Sequence, residues 1–116
     1  MTGKFNDSLA LSASDRHHTV LPFRADQWPH VRESVAAMQA ISAGTGRKLA
    51  HLANRWLLAR PGLASVVGAR SPSQIEENAR VLEGGVSGEA LERLTAVSDA
   101  LVPHIPDVGN LFNHYP

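Results

Sequence analysis

One short apolar segment constrains the fold of this chain more than any other feature. Residues 63–67, with the sequence LASVV, follow Pro61-Gly62 and end at Gly68. An apolar run bounded by turn residues is typical of a buried parallel strand, which need not alternate polar and apolar positions. No other segment is a convincing strand. Because a buried strand needs neighbours on both sides, the sequence predicts that its partners lie outside this chain.

Amphipathic segments on both sides of this strand are predicted to be helices. In the first, Val31, Val35, Met38 and Ile41 recur at three- and four-residue spacing, which places them on one helix face. That helix is expected to begin near residue 26, with its regular part over residues 31–43. The other predicted helices cover residues 48–59, 72–82 and 88–101. The chain is thus predicted to be one partial domain over residues 1–116, with a loop at 1–25, helices and strand within 26–102, and a tail at 103–116.

Composition excludes several classes of protein. The 116 residues suffice for one ordinary domain, and Lys+Arg and Asp+Glu both number 11. This balance argues against a nucleic-acid or membrane-surface partner, because both require an excess of positive charge. There is no cysteine, which excludes disulfides and thiolate metal sites. The sequence has no signal pattern and no apolar run long enough to span a bilayer, so a cytoplasmic protein is expected.

The turn after the strand has the chemistry of a phosphate site. Ser71 and Pro72 suit the first positions of a helix, and Gln74 completes a capping box. A helix N-terminus presents unpaired N–H groups and a partial positive charge. Gly68 allows close backbone approach, and Arg70 adds a guanidinium fork suited to a phosphate. From spacing alone, the same residues are equally consistent with an ordinary capped helix beside a solvated arginine.

Family resemblance favours the phosphate site. Residues 64–78, with the sequence ASVVGARSPSQIEEN, closely resemble the eighth strand and following helix of the aldo-keto reductases. Residues 49–58 resemble the family's seventh helix, residues 86–94 the start of its C-terminal helix, and residues 2–5 the segment after its seventh strand. The resemblance implies an α/β fold: a helix-rich C-terminal fragment of a (β/α)8 TIM barrel with one clear strand.

The resemblance also implies roles for individual residues in binding NADP(H). Gly68, Ala69 and Arg70 would face the 2′-phosphate, and Gln74 would support that phosphate. Glu77 and Asn78 would hydrogen-bond the adenine. Two further cationic contacts with the cofactor phosphates are implied for Lys4 and, in a looser alignment, Arg16.

The family's catalytic residues have no counterpart in this sequence. The family uses an Asp, a Tyr, a Lys and a His from the first half of the barrel, whereas the only tyrosine, Tyr115, matches none of these positions. The sequence is therefore interpreted as the NADP(H)-binding segment of an NADPH-dependent reductase of small carbonyl substrates, inactive alone. Its partners would be the missing N-terminal barrel part or a second copy. The alternative is a non-enzymatic helical interaction module.

Other chemistry is less well supported by the sequence. None of the six histidines forms a His-x-x-x-His pair on one helix face, so a metal site is not expected. His51 is expected to pack or to face solvent. Trp56 lies on the apolar stripe of its helix and is predicted to be a core residue, buried together with Val66 or against a neighbouring chain. Glu76 and Glu77 point about 100° apart on a helix and cannot form an acid–base pair.

Overall fold

The computed structural model describes residues 14, 15, 17 and 20–107, which form four α-helices joined by turns and, between Leu58 and Pro72, by a longer loop. Helix α1 spans Trp28–Thr45, α2 spans Leu49–Leu58, α3 spans Pro72–Ala79 and α4 spans Gly88–Leu101. Turns of 3₁₀ helix lie at Leu21–Phe23, Arg80–Leu82 and Val102–His104. Within the described ranges, no segment forms a β-strand.

The helix boundaries agree with local signals in the sequence. Gly46 caps the C-terminus of α1, and its φ of 65° lies in the left-handed region that glycine adopts without strain. Ser87 caps the N-terminus of α4, and its side chain accepts a hydrogen bond from the backbone N–H of Ala90 at 3.2 Å. The predicted helices therefore agree with the structure within a few residues, although α3 gives way to a 3₁₀ turn after Ala79.

The core lies where α1, α2 and α4 meet. Ile41, Leu52, Ala90 and Leu94 form a buried cluster, and Met38, Trp56, Val86 and Val97 pack against it. The indole N–H of Trp56 donates to the Thr95 hydroxyl at 2.9 Å, which satisfies its polar edge at the rim of the core. Trp56 thus packs against the core, as predicted, while remaining partly exposed.

The strand predicted at residues 63–67 is wrong for this chain. These residues have no regular secondary structure, and Val66 is fully exposed rather than buried with Trp56. A strand exists only through hydrogen bonds to neighbouring strands, and the described part of the chain supplies none. Leu63 and Val67 are also exposed, so this apolar run faces solvent.

Helix α3 lies at the edge of the molecule and contributes no buried residue. The next segment of the chain anchors it: Val81 in the adjoining 3₁₀ turn is 4% exposed, and the Arg47 side chain donates to the Glu83 carbonyl at 2.8 Å. The chain then turns at Gly84, where φ is 62° and an added Cβ would lie 2.7 Å from the Arg47 guanidinium. These contacts fix the C-terminal end of α3. Residues 68–70 lie at its other end, directly before the N-terminus of the helix.

Candidate functional site

The start of α3 is built by its own sequence. Ser71 has extended backbone angles, and its hydroxyl accepts a hydrogen bond from the backbone N–H of Gln74 at 3.3 Å. Pro72 occupies the first helical position, where its missing N–H costs nothing. The remaining N–H groups of the first turn give this end of the helix its partial positive charge.

Two side chains one helical turn apart tie the preceding loop to α3. The Gln74 side-chain oxygen accepts from the backbone N–H of Arg70 at 2.6 Å, and the Asn78 amide donates to the Gly68 carbonyl at 3.4 Å. In the expected capping box the Gln74 side chain would accept from the backbone N–H of Ser71. It accepts instead from the backbone N–H of Arg70, one residue earlier. Both contacts hold residues 68–70 over one face of the helix.

These contacts form an open cleft with a volume of about 730 Å³. Its lining consists of six residues that the sequence singled out: Gly68, Ala69, Arg70, Gln74, Glu77 and Asn78. The structure thus brings together six of the eight predicted binding residues. The other two, Lys4 and Arg16, lie outside the described residues.

Arg70 provides the cleft with a cation that is free to bind a ligand. The residue is exposed, and its guanidinium forms no ion pair or hydrogen bond with any of the residues that the structure describes. It lies two residues after Gly68 and directly before Ser71, which caps α3. A guanidinium and a helix N-terminus that lie side by side are suited to binding an anion such as a phosphate.

Glu77 carries the negative charge of the cleft and is surrounded by basic side chains. Its Oε1 atom accepts from the Lys48 ammonium and lies 3.1 Å from Nε2 of His51, while its Oε2 atom lies 3.5 Å from the Arg80 guanidinium. The hydrogen bond from Lys48, together with the charges of Lys48, His51 and Arg80, holds the pKa of the Glu77 carboxyl below its ordinary value against an opposing effect of burial. Glu77 is therefore an ionised hydrogen-bond acceptor.

Sequence reasoning missed this cluster of basic side chains. Arg80 lies three residues after Glu77 on a helical segment, a spacing that could have indicated an ion pair. Lys48 and His51 lie at the start of α2, so only the folded chain shows that they contact Glu77. His51 is thus neither a plain core residue nor a solvent-facing one.

Neither a metal centre nor a membrane span is found among the described residues. In this part of the chain, no group of three or more His, Asp or Glu side chains is arranged to hold a metal ion. No helix within the same residues is long and apolar enough to cross a membrane.

The family assignment rests on comparison with known protein families. The profile described as "Aldo/keto reductase family" matches residues 1–99. No curated protein and no solved structure matches the chain. Because the matched region covers most of the sequence and includes the whole cleft, this chain belongs to the aldo/keto reductase family.

Proposed function

We propose that this chain is an NADP(H)-binding segment of an NADPH-dependent aldo-keto reductase, and that the cleft holds the adenosine end of the cofactor. One observation carries the proposal: Gly68, Ala69, Arg70, Gln74, Glu77 and Asn78 line one cleft at the N-terminus of α3. That cleft has an anion-binding edge at Arg70 and a hydrogen-bonding edge at Glu77 and Asn78.

Each side chain has a group available for the role proposed for it. The Arg70 guanidinium binds the 2′-phosphate as a fork of N–H donors. Since Gln74 uses its oxygen to accept from Arg70, its amide N–H groups are available to the same phosphate. Asn78 uses its amide N–H to hold Gly68, so its oxygen can accept from the adenine amino group.

The proposed reaction is hydride transfer between NADPH and a small carbonyl substrate in a complete barrel. The described cleft contributes cofactor binding and no proton donor, so we assign it no catalytic residue. The proposal predicts that the chain binds NADPH without turning over an aldehyde.

Calorimetric titration of the full 116-residue chain with NADPH and with NADH tests this function. The two cofactors differ only by the 2′-phosphate, so we expect NADPH to bind about tenfold more tightly, the value of one charge-assisted contact. A low-salt buffer is used because the cleft is open and its charges are screened by salt. Equal affinity for both cofactors, or binding of neither, would contradict the proposal.

The exposed apolar run favours a second candidate, an interaction module. Val66 is fully exposed and Leu63 is 49% exposed, while residues 64–67 have no backbone partner in the described part of the chain. Such a segment can pair with a strand of another polypeptide. Sedimentation at rising protein concentration tests this candidate. It predicts that the chain self-associates and that Val66→Lys abolishes the association. Monomers at all concentrations would rule out self-association.

A further inference from the structure

Glu77 lies between two clefts that otherwise share no residue. On one side is the cleft at residues 68–70, proposed to hold the adenosine end of the cofactor. On the other side is an open pocket of about 480 Å³ whose lining includes Lys48, His51 and Arg80. Glu77 therefore belongs to both clefts, and it contacts these three basic side chains on one side while lining the proposed ligand cleft on the other.

The contacts leave part of the Glu77 carboxylate available. A carboxylate has about four lone-pair positions, two on each oxygen. Oε1 contacts both the Lys48 ammonium and Nε2 of His51, whereas Oε2 has one long contact of 3.5 Å with Arg80. Oε1 is thus the more heavily contacted oxygen, and Oε2 retains a position that can accept a hydrogen bond from a ligand.

The two partners of Oε1 belong to the start of α2, a helix anchored in the core, where the His51 side chain is largely buried and the Lys48 side chain is 70% exposed. His51 lies in the first turn of α2, and its side chain is 12% exposed. Leu49 and Leu52 on the same helix are buried, and Leu52 belongs to the core cluster. Glu77 itself lies on α3, which has no buried residue. Without Lys48 and His51, the long contact of 3.5 Å with Arg80 would be the one described ion pair left to restrict rotation of the Glu77 side chain.

We infer that Lys48 and His51 are positioning residues that hold Glu77 as an oriented acceptor for the 6-amino group of adenine, and that this arrangement makes the cleft select adenine over hypoxanthine nucleotides. The inference rests on the proposed function. Hypoxanthine has an oxygen where adenine has its amino group, so an oriented carboxylate would face an acceptor and be left without a partner. A freely rotating carboxylate could turn away and would discriminate less.

A different role for the same ion pairs is to hold α3 against α2. That role predicts that losing Lys48 or His51 weakens binding of every nucleotide to the same extent. A positioning role predicts that the ratio of two affinities changes. The ratio therefore separates the two roles.

The test measures the affinity of the full chain for NADPH and for its hypoxanthine analogue, deamino-NADPH. For the unaltered chain we expect NADPH to bind about tenfold more tightly, the value of one hydrogen bond to a charged group. Lys48→Met and His51→Leu should each reduce this preference to about threefold or less, and Lys48→Arg should restore it. Glu77→Gln should reduce it at least as far, because an amide can donate to the hypoxanthine oxygen.

Arg55→Met is the matched control. Arg55 is a cation on the same helix as His51, and no described residue forms an ion pair with it. Its removal changes the net charge as Lys48→Met does and should leave the preference at about tenfold. Circular dichroism of each variant verifies that the helices are retained.

The outcomes separate this inference from the proposed function. Loss of preference in Lys48→Met and His51→Leu, with Arg55→Met unchanged, supports the inference. Three results would overturn the inference: an adenine preference that survives in both variants, equal weakening of both nucleotides, or no preference in the unaltered chain. Each of them leaves the proposed function standing. Binding of neither nucleotide by the unaltered chain overturns both.

Discussion

Replacement of Arg70 by alanine is the perturbation that reports most directly on cofactor choice. The Arg70 guanidinium has no partner among the described residues, so its removal breaks no ion pair within that part of the chain. Its backbone N–H, which donates to Gln74 at 2.6 Å, is retained in alanine. The variant should therefore keep the shape of the cleft and lose only the charge.

The expected loss depends on the surroundings of the guanidinium. A hydrogen bond to a charged group contributes about 1.5–3 kcal/mol, which corresponds to about ten- to a hundredfold in affinity. Arg70 is exposed, and contacts in solvent are screened, so the lower end of this range applies. We expect Arg70→Ala to weaken NADPH binding about tenfold and to leave NADH binding nearly unchanged.

The assay is calorimetric titration of both cofactors at two salt concentrations. The NADPH preference of the unaltered chain should shrink as salt rises, since the Debye length falls from about 10 Å at 0.1 M to about 3 Å at 1 M. Arg93→Ala removes the same charge from an exposed position on α4 that does not line the cleft. It should change neither affinity by more than about twofold.

One result would refute the reasoning. If Arg70→Ala weakened NADPH and NADH equally, Arg70 would be maintaining the cleft rather than contacting the 2′-phosphate. The assignment of the phosphate edge would then be withdrawn.

Three further predictions concern stability. Leu52→Ala should lower the free energy of unfolding by about 2–5 kcal/mol in urea titrations, because Leu52 is fully buried in the core; a loss below about 1 kcal/mol would contradict that placement. Ser71→Ala should speed hydrogen exchange at the Gln74 amide without lowering global stability, since the capped helix contributes no buried residue to the core; unchanged exchange would argue against the cap. The lowered pKa of Glu77 stabilises the folded chain above its ordinary pKa of about 4.5, and this contribution is lost as pH falls through the lower folded value. Urea unfolding across this range should therefore show a smaller pH dependence in Glu77→Gln, and an identical dependence would contradict the ion pairs.

The helices could be predicted from the sequence because their signals are local. Apolar residues at three- and four-residue spacing, a serine at the start of α3 and a left-handed glycine after α1 each act within a few residues. The capped start of α3 could be predicted for the same reason, because Ser71 and Gln74 lie three residues apart. The approach of residues 68–70 to one face of α3 depends on Gln74 and Asn78, which lie close in sequence.

The features that sequence reasoning missed depend on distant contacts. An apolar run becomes a strand only when other strands supply hydrogen bonds, so residues 63–67 could not be decided from their own composition. The contacts of Lys48 and His51 with Glu77 join α2 to α3 across an intervening loop. No periodicity in the sequence reports on such pairs, and the prediction for Glu77 therefore lacked the basic side chains that surround it.

The central claim is that the cleft at the start of α3 binds the adenosine end of NADPH. Backbone amide chemical shifts of the full ¹⁵N-labelled chain, recorded during NADPH titration, test it most directly. The account predicts that the largest changes occur at Gly68, Ala69, Arg70 and Gln74, and that NADH produces smaller changes at Arg70 at the same concentration. Changes centred on another surface, or no changes at the cleft at saturating NADPH, would contradict it.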